Sequence, residues 1–358
     1  MPYYPDQRYL LESTTIRRER FLPENVIGRA EVRDGASVNL RDIVARGRLP
    51  SPYIIVEAAE FFRLKDPDEL KGLMMVEVGE TVEFKTPLAQ TSKKRQRLLS
   101  PDAGVVVFIG DGRIIIQTSP ETLDLEAGLD GQVVGVQAGR GVTIETFGGL
   151  VQGVWGNGGR TIGILKIEPE DGLESIYGDQ LNIEYRGAIV VTRKPLRATG
   201  LMVMEDQGID GVIAPSMETD MLPQVQGGKQ TVLLTEGFGS MRMSVAVMNL
   251  LTSLAGRQAL LDAVQPSRWD ARRPEVVINP SGRQTARPPR PNIDLVLQPG
   301  TMVRLTRAPN AGSTGQIIDL PKMPNLLENG LRVQCAQVQL LTGEKVTVPL
   351  ANLEVFGR

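Results

Sequence analysis

Apolar and polar positions alternate in short runs along most of this chain, broken by turns that contain glycine and proline. That pattern predicts strands far more often than helices. EVRDGASVNL (31–40) reads as a hairpin, with Asp34-Gly35 supplying the left-handed residues of a tight turn. DPDELKGLM (66–74) reads as a short helix, with Asp66 as N-cap and Pro67 at its first position. VEVGETVEFKTPLAQ (76–90), a basic tip and SPDAGVVVFIGDGRIIIQTS (100–119) follow. Residues 103–118 and 130–146 then form an internal repeat: each has a glycine, an apolar strand, a Gly-Arg turn, a second apolar strand and a threonine. A single hairpin cannot bury its apolar face, so the two copies are expected to pack into one small core. LVQGVWGNGGRTIGILKI (150–167) continues the pattern, with Trp155 as a core side chain and Asn157-Gly158 as a further hairpin turn.

After Tyr185 the period changes. RGAIVVTRKP, GIDGVIAPSM and KQTVLLTEGFGS read as three apolar strands, separated by the helical segments PLRATGLMVMEDQ and ETDMLPQVQ. The third strand feeds MRMSVAVMNLLTSLAGRQALLDA (241–263), read as a largely buried helix because it is apolar almost all round. Alternating strands and helices predict a small α/β unit with a parallel sheet. Ligands in such sheets gather at the carboxyl ends of the strands. Here that edge carries Thr192, Arg193, Ser216, Glu236, Gly237, Gly239 and Ser240 as ligand-binding candidates, with Ser240 also able to cap the following helix. TEGFGS lacks the Lys-Ser/Thr of a phosphate loop. VLLTEGF resembles the first strand of Toprim domains, but no Asp-x-Asp pair follows to hold two magnesium ions. The acidic stretch EPEDGLES (168–175) lacks a calcium-loop register and reads as a solvated turn.

Composition narrows the chemistry. There is no histidine and one cysteine, Cys335, so histidine bases, Cys-His pairs, intrachain disulfides and Cys/His zinc sites are all excluded. Cys335 lies in a strand-like alternation and is expected in the core. No cofactor or metal is expected, and the reading leans away from an enzyme. No apolar run reaches the roughly 18 residues that cross a bilayer, and residues 1–20 have no apolar signal core, which makes a cytoplasmic location the expectation. The net charge of −2 is unevenly spread: +3 over residues 266–294, +2 over 295–358, and therefore about −7 over the first 265. A basic C-terminal end suits a polyanionic partner.

Two stretches resemble known scaffolds. VEVGETVEFKTPLAQ and SPDAGVVV resemble the biotinyl/lipoyl-like barrel-sandwich hybrid over about residues 74–146. Lys93 stands eight residues before Pro101, the spacing of a modified lysine in that family. Its neighbours Ser92 and Lys94 are not those that biotin or lipoyl attachment requires, so a lysine-linked carrier is a remote reading. The tip cations Lys93, Lys94, Arg95 and Arg97 read either as a solvated loop or as a contact for phosphate. PGTMVRLTRAPNAGSTGQIIDLP and LRVQCAQVQLLTGEKVTVPLANLEVF resemble the KOW motif and its SH3-like barrel over about 296–357. That resemblance implies RNA, ribosomal or transcription proteins as partners, with Arg304, Arg307, Lys322, Arg332 and Lys345 as candidate nucleic-acid contacts.

The expected organisation is mainly β and multidomain. It comprises an N-terminal arm (1–27), a β-rich barrel-sandwich-like region (28–184), a small α/β domain (185–265), a Pro/Arg-rich linker (266–294) and an SH3-like barrel (295–358). The leading expectation is a non-enzymatic binding or scaffolding protein. The alternative is a subunit of an oligomer that associates through its N-terminal arm and β-hairpins, without nucleic acid and without a membrane.

Overall fold

The computed structural model describes residues 6–91, 96–176, 182–267, 272–280, 287–291 and 296–357. It is mainly β, and it divides into two compact units. Strand β1 (Asp6–Phe21) opens the described chain, within the stretch read as an N-terminal arm.

One unit comprises residues 19–127 and 132–144. It contains a four-stranded antiparallel sheet of β2 (Tyr53–Val56), β3 (Thr81–Val82), β4 (Gly104–Gly110) and β5 (Arg113–Thr118), in the order β2-β5-β4-β3. Its inner face is apolar because strand residues alternate: Val106, Ile114 and Ile116 are fully buried, packed with Phe62, Leu70 and Leu88. Asp66 caps a 3-10 turn (Pro67–Leu73) as expected, its side chain accepting from the Asp68 N–H at 2.9 Å. Two expectations fail here. Asp34-Gly35 does not join a hairpin: Ile27–Ala30 pairs with Ile43–Arg48, and Ser37–Val38 pairs with the first strand of the second repeat copy. The two repeat copies also join different sheets, so the repeat is one of local pattern and not of a shared core.

The other unit comprises residues 1–18, 128–131 and 145–358. Its strands are β6 (Gly141–Gln152), β7 (Trp155–Gly156), β8 (Arg160–Ile167), β9 (Ile189–Val191), β10 (Gly211–Met217) and β11 (Thr231–Phe238), followed by β12 (Gln258–Asp262) and β13 (Glu275–Ile278). Helices α1 (Ala198–Gln207), α2 (Leu222–Gly227) and α3 (Val245–Ser253) lie between them. Strands β14 (Met302–Leu305), β15 (Thr314–Asp319), β16 (Cys335–Leu340), β17 (Lys345–Pro349) and β18 (Leu353–Gly357) complete the chain. A single mixed sheet runs in the order β7-β11-β10-β9-β8-β12-β13-β6-β1-β18-β14-β15-β16-β17.

The parallel part holds four strands, not three, because β8 pairs parallel with β9. Asn157-Gly158 is therefore no hairpin turn: β7 pairs with β11, while β8 pairs with β9 and β12. The helix expected over 241–263 stops at Ser253, and the left-handed Gly256 (φ 80°) turns the chain into β12. Within the Pro/Arg-rich linker, EVVIN (275–279) reads as a short strand, and the structure has one there. Glu275–Ile278 is fully buried as β13 between β12 and β6, and Pro289 accepts hydrogen bonds from Thr14 and Thr15 of β1. The C-terminal strands β18-β14-β15-β16-β17 pair antiparallel around Val303, Ile317, Val338 and Val355. Cys335 is buried among them, as its alternation indicated, and burial pushes its thiol pKa up.

Candidate functional site

Strands β8 and β9 are parallel, so their carboxyl ends lie side by side, and Glu168 directly follows β8 while Thr192 directly follows β9. Neither leaves the sheet freely. The Glu168 N–H bonds the Val191 carbonyl at 3.0 Å, and the Thr192 N–H bonds the Ile213 carbonyl at 3.0 Å. The Glu168 carboxylate then folds back into the molecule. One oxygen accepts the Arg193 N–H at 2.6 Å and the other the Leu173 N–H at 3.1 Å. Arg193 returns the contact, its guanidinium donating to the carbonyls of Glu168 and Pro169. Burial lifts the Glu168 carboxyl above the usual carboxylate range, with the N–H groups of Arg193 and Leu173 pulling the other way.

These bonds tie the loop after β8 to the loop after β9, and a cavity of about 620 Å³ is lined by both loops and by α1. Its floor is apolar, made by the buried Leu173, Leu196 and Val203. Its rim is polar, with Lys194, Arg197 and Thr199 on one side and Glu174 on the other. Thr199 Oγ1 and Glu174 are 3.3 Å apart across that rim. Gly200 lines the cavity where a Cβ would come within 3.2 Å of both Leu173 and Leu196, so α1 packs closely on these two floor residues. No protein-family model matches the chain, and no curated protein matches it.

Of the residues the sequence singled out on this edge, Thr192 lines the cavity, with its hydroxyl donating to the Lys194 carbonyl at 3.0 Å. Arg193 braces the wall instead. Ser216, Glu236, Gly237, Gly239 and Ser240 lie off the cavity. The Ser216 hydroxyl is spent on the backbone of Met241, accepting its N–H at 3.0 Å and donating to its carbonyl at 2.9 Å. Gly237 near the end of β11, where the register with β10 shifts, and Gly239 just after it have left-handed φ of 113° and 96°. Ser240 bonds Glu218 at 3.0 Å; the cap of α3 is Ser244, whose side chain accepts from the Val247 N–H.

Glu236 and Arg304 were expected in two separate roles, and the structure joins them. Both are buried, and Arg304 pairs with Glu236 and, at 3.0 Å, with Glu354. Arg8 lies 3.4 Å from Glu354 and donates to the Thr235 carbonyl, and Arg273 lies 3.7 Å from Glu354. Burial lowers the Arg8 pKa, while Glu354 and Glu236 oppose that shift. Arg304, buried in this cluster, is thus corrected as a nucleic-acid contact: a guanidinium without solvent access cannot meet a phosphate.

The remaining candidates of the C-terminal strands are exposed: Arg307, Lys322, Arg332 and Lys345. Topology divides them. The β14–β15 and β16–β17 loops share one end of the strands, since the Leu341 N–H bonds the Thr314 carbonyl; Arg307 and Lys345 belong there. Lys322 and Arg332 belong to the opposite end, around the hairpin of Asn325–Leu326 and Arg332–Val333. At the basic tip, Arg97 is exposed at the start of a short strand, while Lys93, Lys94 and Arg95 lie outside the described residues.

The sequence reading missed the cavity because it took EPEDGLES as a solvated turn. Glu170, Asp171 and Glu174 are indeed exposed, but Glu168 and Leu173 are buried. The available signal was an apolar residue set inside an acidic turn that directly follows an apolar strand.

Proposed function

We propose that this protein is a non-enzymatic binding protein that holds a small molecule with an apolar body and a polar end. The observation that carries this reading is the cavity at the carboxyl edge of β8 and β9. Its volume of about 620 Å³ falls within the size range of ligand pockets, and its apolar floor and polar rim match their usual make-up. Binding is favoured over turnover because both Glu168 oxygens already accept backbone N–H groups, and the Thr199–Glu174 contact lies on exposed side chains at the rim. A leucine placed at Gly200 would press on Leu173 and Leu196 and so displace the floor of the cavity. The test is a thermal-shift screen of small amphiphiles against wild type and Gly200→Leu. Compounds that raise the wild-type melting temperature should leave Gly200→Leu unmoved; equal shifts in both proteins would reject the cavity as the site.

A second reading, RNA or ribosomal association through a KOW-type barrel, draws support from Arg307, Lys322, Arg332 and Lys345, four exposed cations at two ends of the C-terminal strands. Binding driven by such cations would weaken steeply with added salt.

A further inference from the structure

The sheet of residues 53–56, 81–82, 104–110 and 113–118 buries one face and leaves the other open. Cross-strand partners lie on the same face of a sheet. Two rows therefore face outward together: Ile55–Ile115–Phe108, and Tyr53–Gln117–Val105–Thr81. Tyr53 is 61% exposed, Ile55 57%, Phe108 42% and Val105 38%. Single exposed apolar residues need no explanation, but four large ones side by side on a flat sheet mark an interaction surface.

Charge decides what can cover it. Neither row contains a charged side chain, and the Gln117 amide already bonds the Tyr53 hydroxyl at 3.2 Å. The charge next along β5, Arg113, is paired with Glu57 at 2.9 Å. A partner that placed a charge against these rows would strand it without water or counter-ion, which burial penalises heavily. A nucleic acid is disfavoured for the same reason. The identical face of a second copy meets the requirement by construction, since a twofold contact opposes a neutral apolar row with another.

We propose that this face pairs two copies of the chain about a twofold axis. Light scattering on the full chain across a concentration series should give twice the 39.1 kDa chain mass. Ile55→Lys and Phe108→Glu each introduce a charge at an already exposed position, and should return the mass to that of one chain with an unchanged circular dichroism spectrum. Ile27→Lys, at a residue 86% exposed and outside both rows, should leave the dimer intact. A wild-type monomer throughout the series, a dimer that survives both Ile55→Lys and Phe108→Glu, or a dimer that Ile27→Lys also disrupts would each overturn the proposal.

Discussion

Glu354 sits in the interior within 4 Å of three guanidinium groups, those of Arg8, Arg273 and Arg304. Removing it would leave three buried or half-buried cations short of a counter-charge, whereas removing Arg273 leaves Glu354 with two partners. Glu354→Gln is therefore expected to destabilise the protein by about 3–5 kcal/mol, and Arg273→Met by clearly less. Guanidinium chloride unfolding reads both. Glu168 makes a prediction in pH. Burial raises its folded-state pKa, so the native chain binds this proton more tightly than the unfolded chain does. The carboxylate then costs stability once ionised, and that cost is relieved as pH falls through the raised value. The stability of wild type relative to Glu168→Gln should fall as pH rises above the ordinary value of 4.5. Urea unfolding of both proteins at a series of pH values gives the sign directly. At this scale the sequence was legible for Cys335 and Asp66, whose roles follow from nearest neighbours. It was not legible for Glu236 and Arg304, which lie 68 residues apart and meet only because β11 and β14 belong to one sheet.

Elements show the same division between local and distant causes. The four strands β8–β11 alternate with turns and helices strongly enough to read as an α/β unit, but β8 was assigned to the preceding hairpins because its own pattern is equally apolar. Only its parallel pairing with β9 separates the two assignments. Gly256 is another case: a glycine in an apolar run reads as a tolerated helix residue, yet its left-handed backbone ends α3 and lets Gln258–Asp262 join the sheet. The α3 cap gives a sharp expectation. Ser244→Ala should cost about 1 kcal/mol because it removes the acceptor for the Val247 N–H. Ser240→Ala, at an exposed position, should stay within about 0.5 kcal/mol. Thermal unfolding of the two variants distinguishes them.

Over the whole molecule, the basic C-terminal region divides into a buried and an exposed share. Arg304 and Arg273 help bind strands together, which leaves Arg307 with Lys345 at one end of the C-terminal strands and Lys322 with Arg332 at the other. If single-stranded RNA binds at the second end, neutralising Lys322 and Arg332 together should flatten the log–log salt slope by about 1.4. Fluorescence anisotropy at several salt concentrations measures it. The ligand cavity is independent of that outcome and is the central claim. Its most direct test is to incubate the full chain with a small-molecule extract of its source cells, remove unbound material by gel filtration, and identify what remains bound by mass spectrometry. One or a few amphiphilic compounds should be retained by wild type and lost from Gly200→Leu. Retention of nothing, or retention that Gly200→Leu leaves unchanged, would contradict the account.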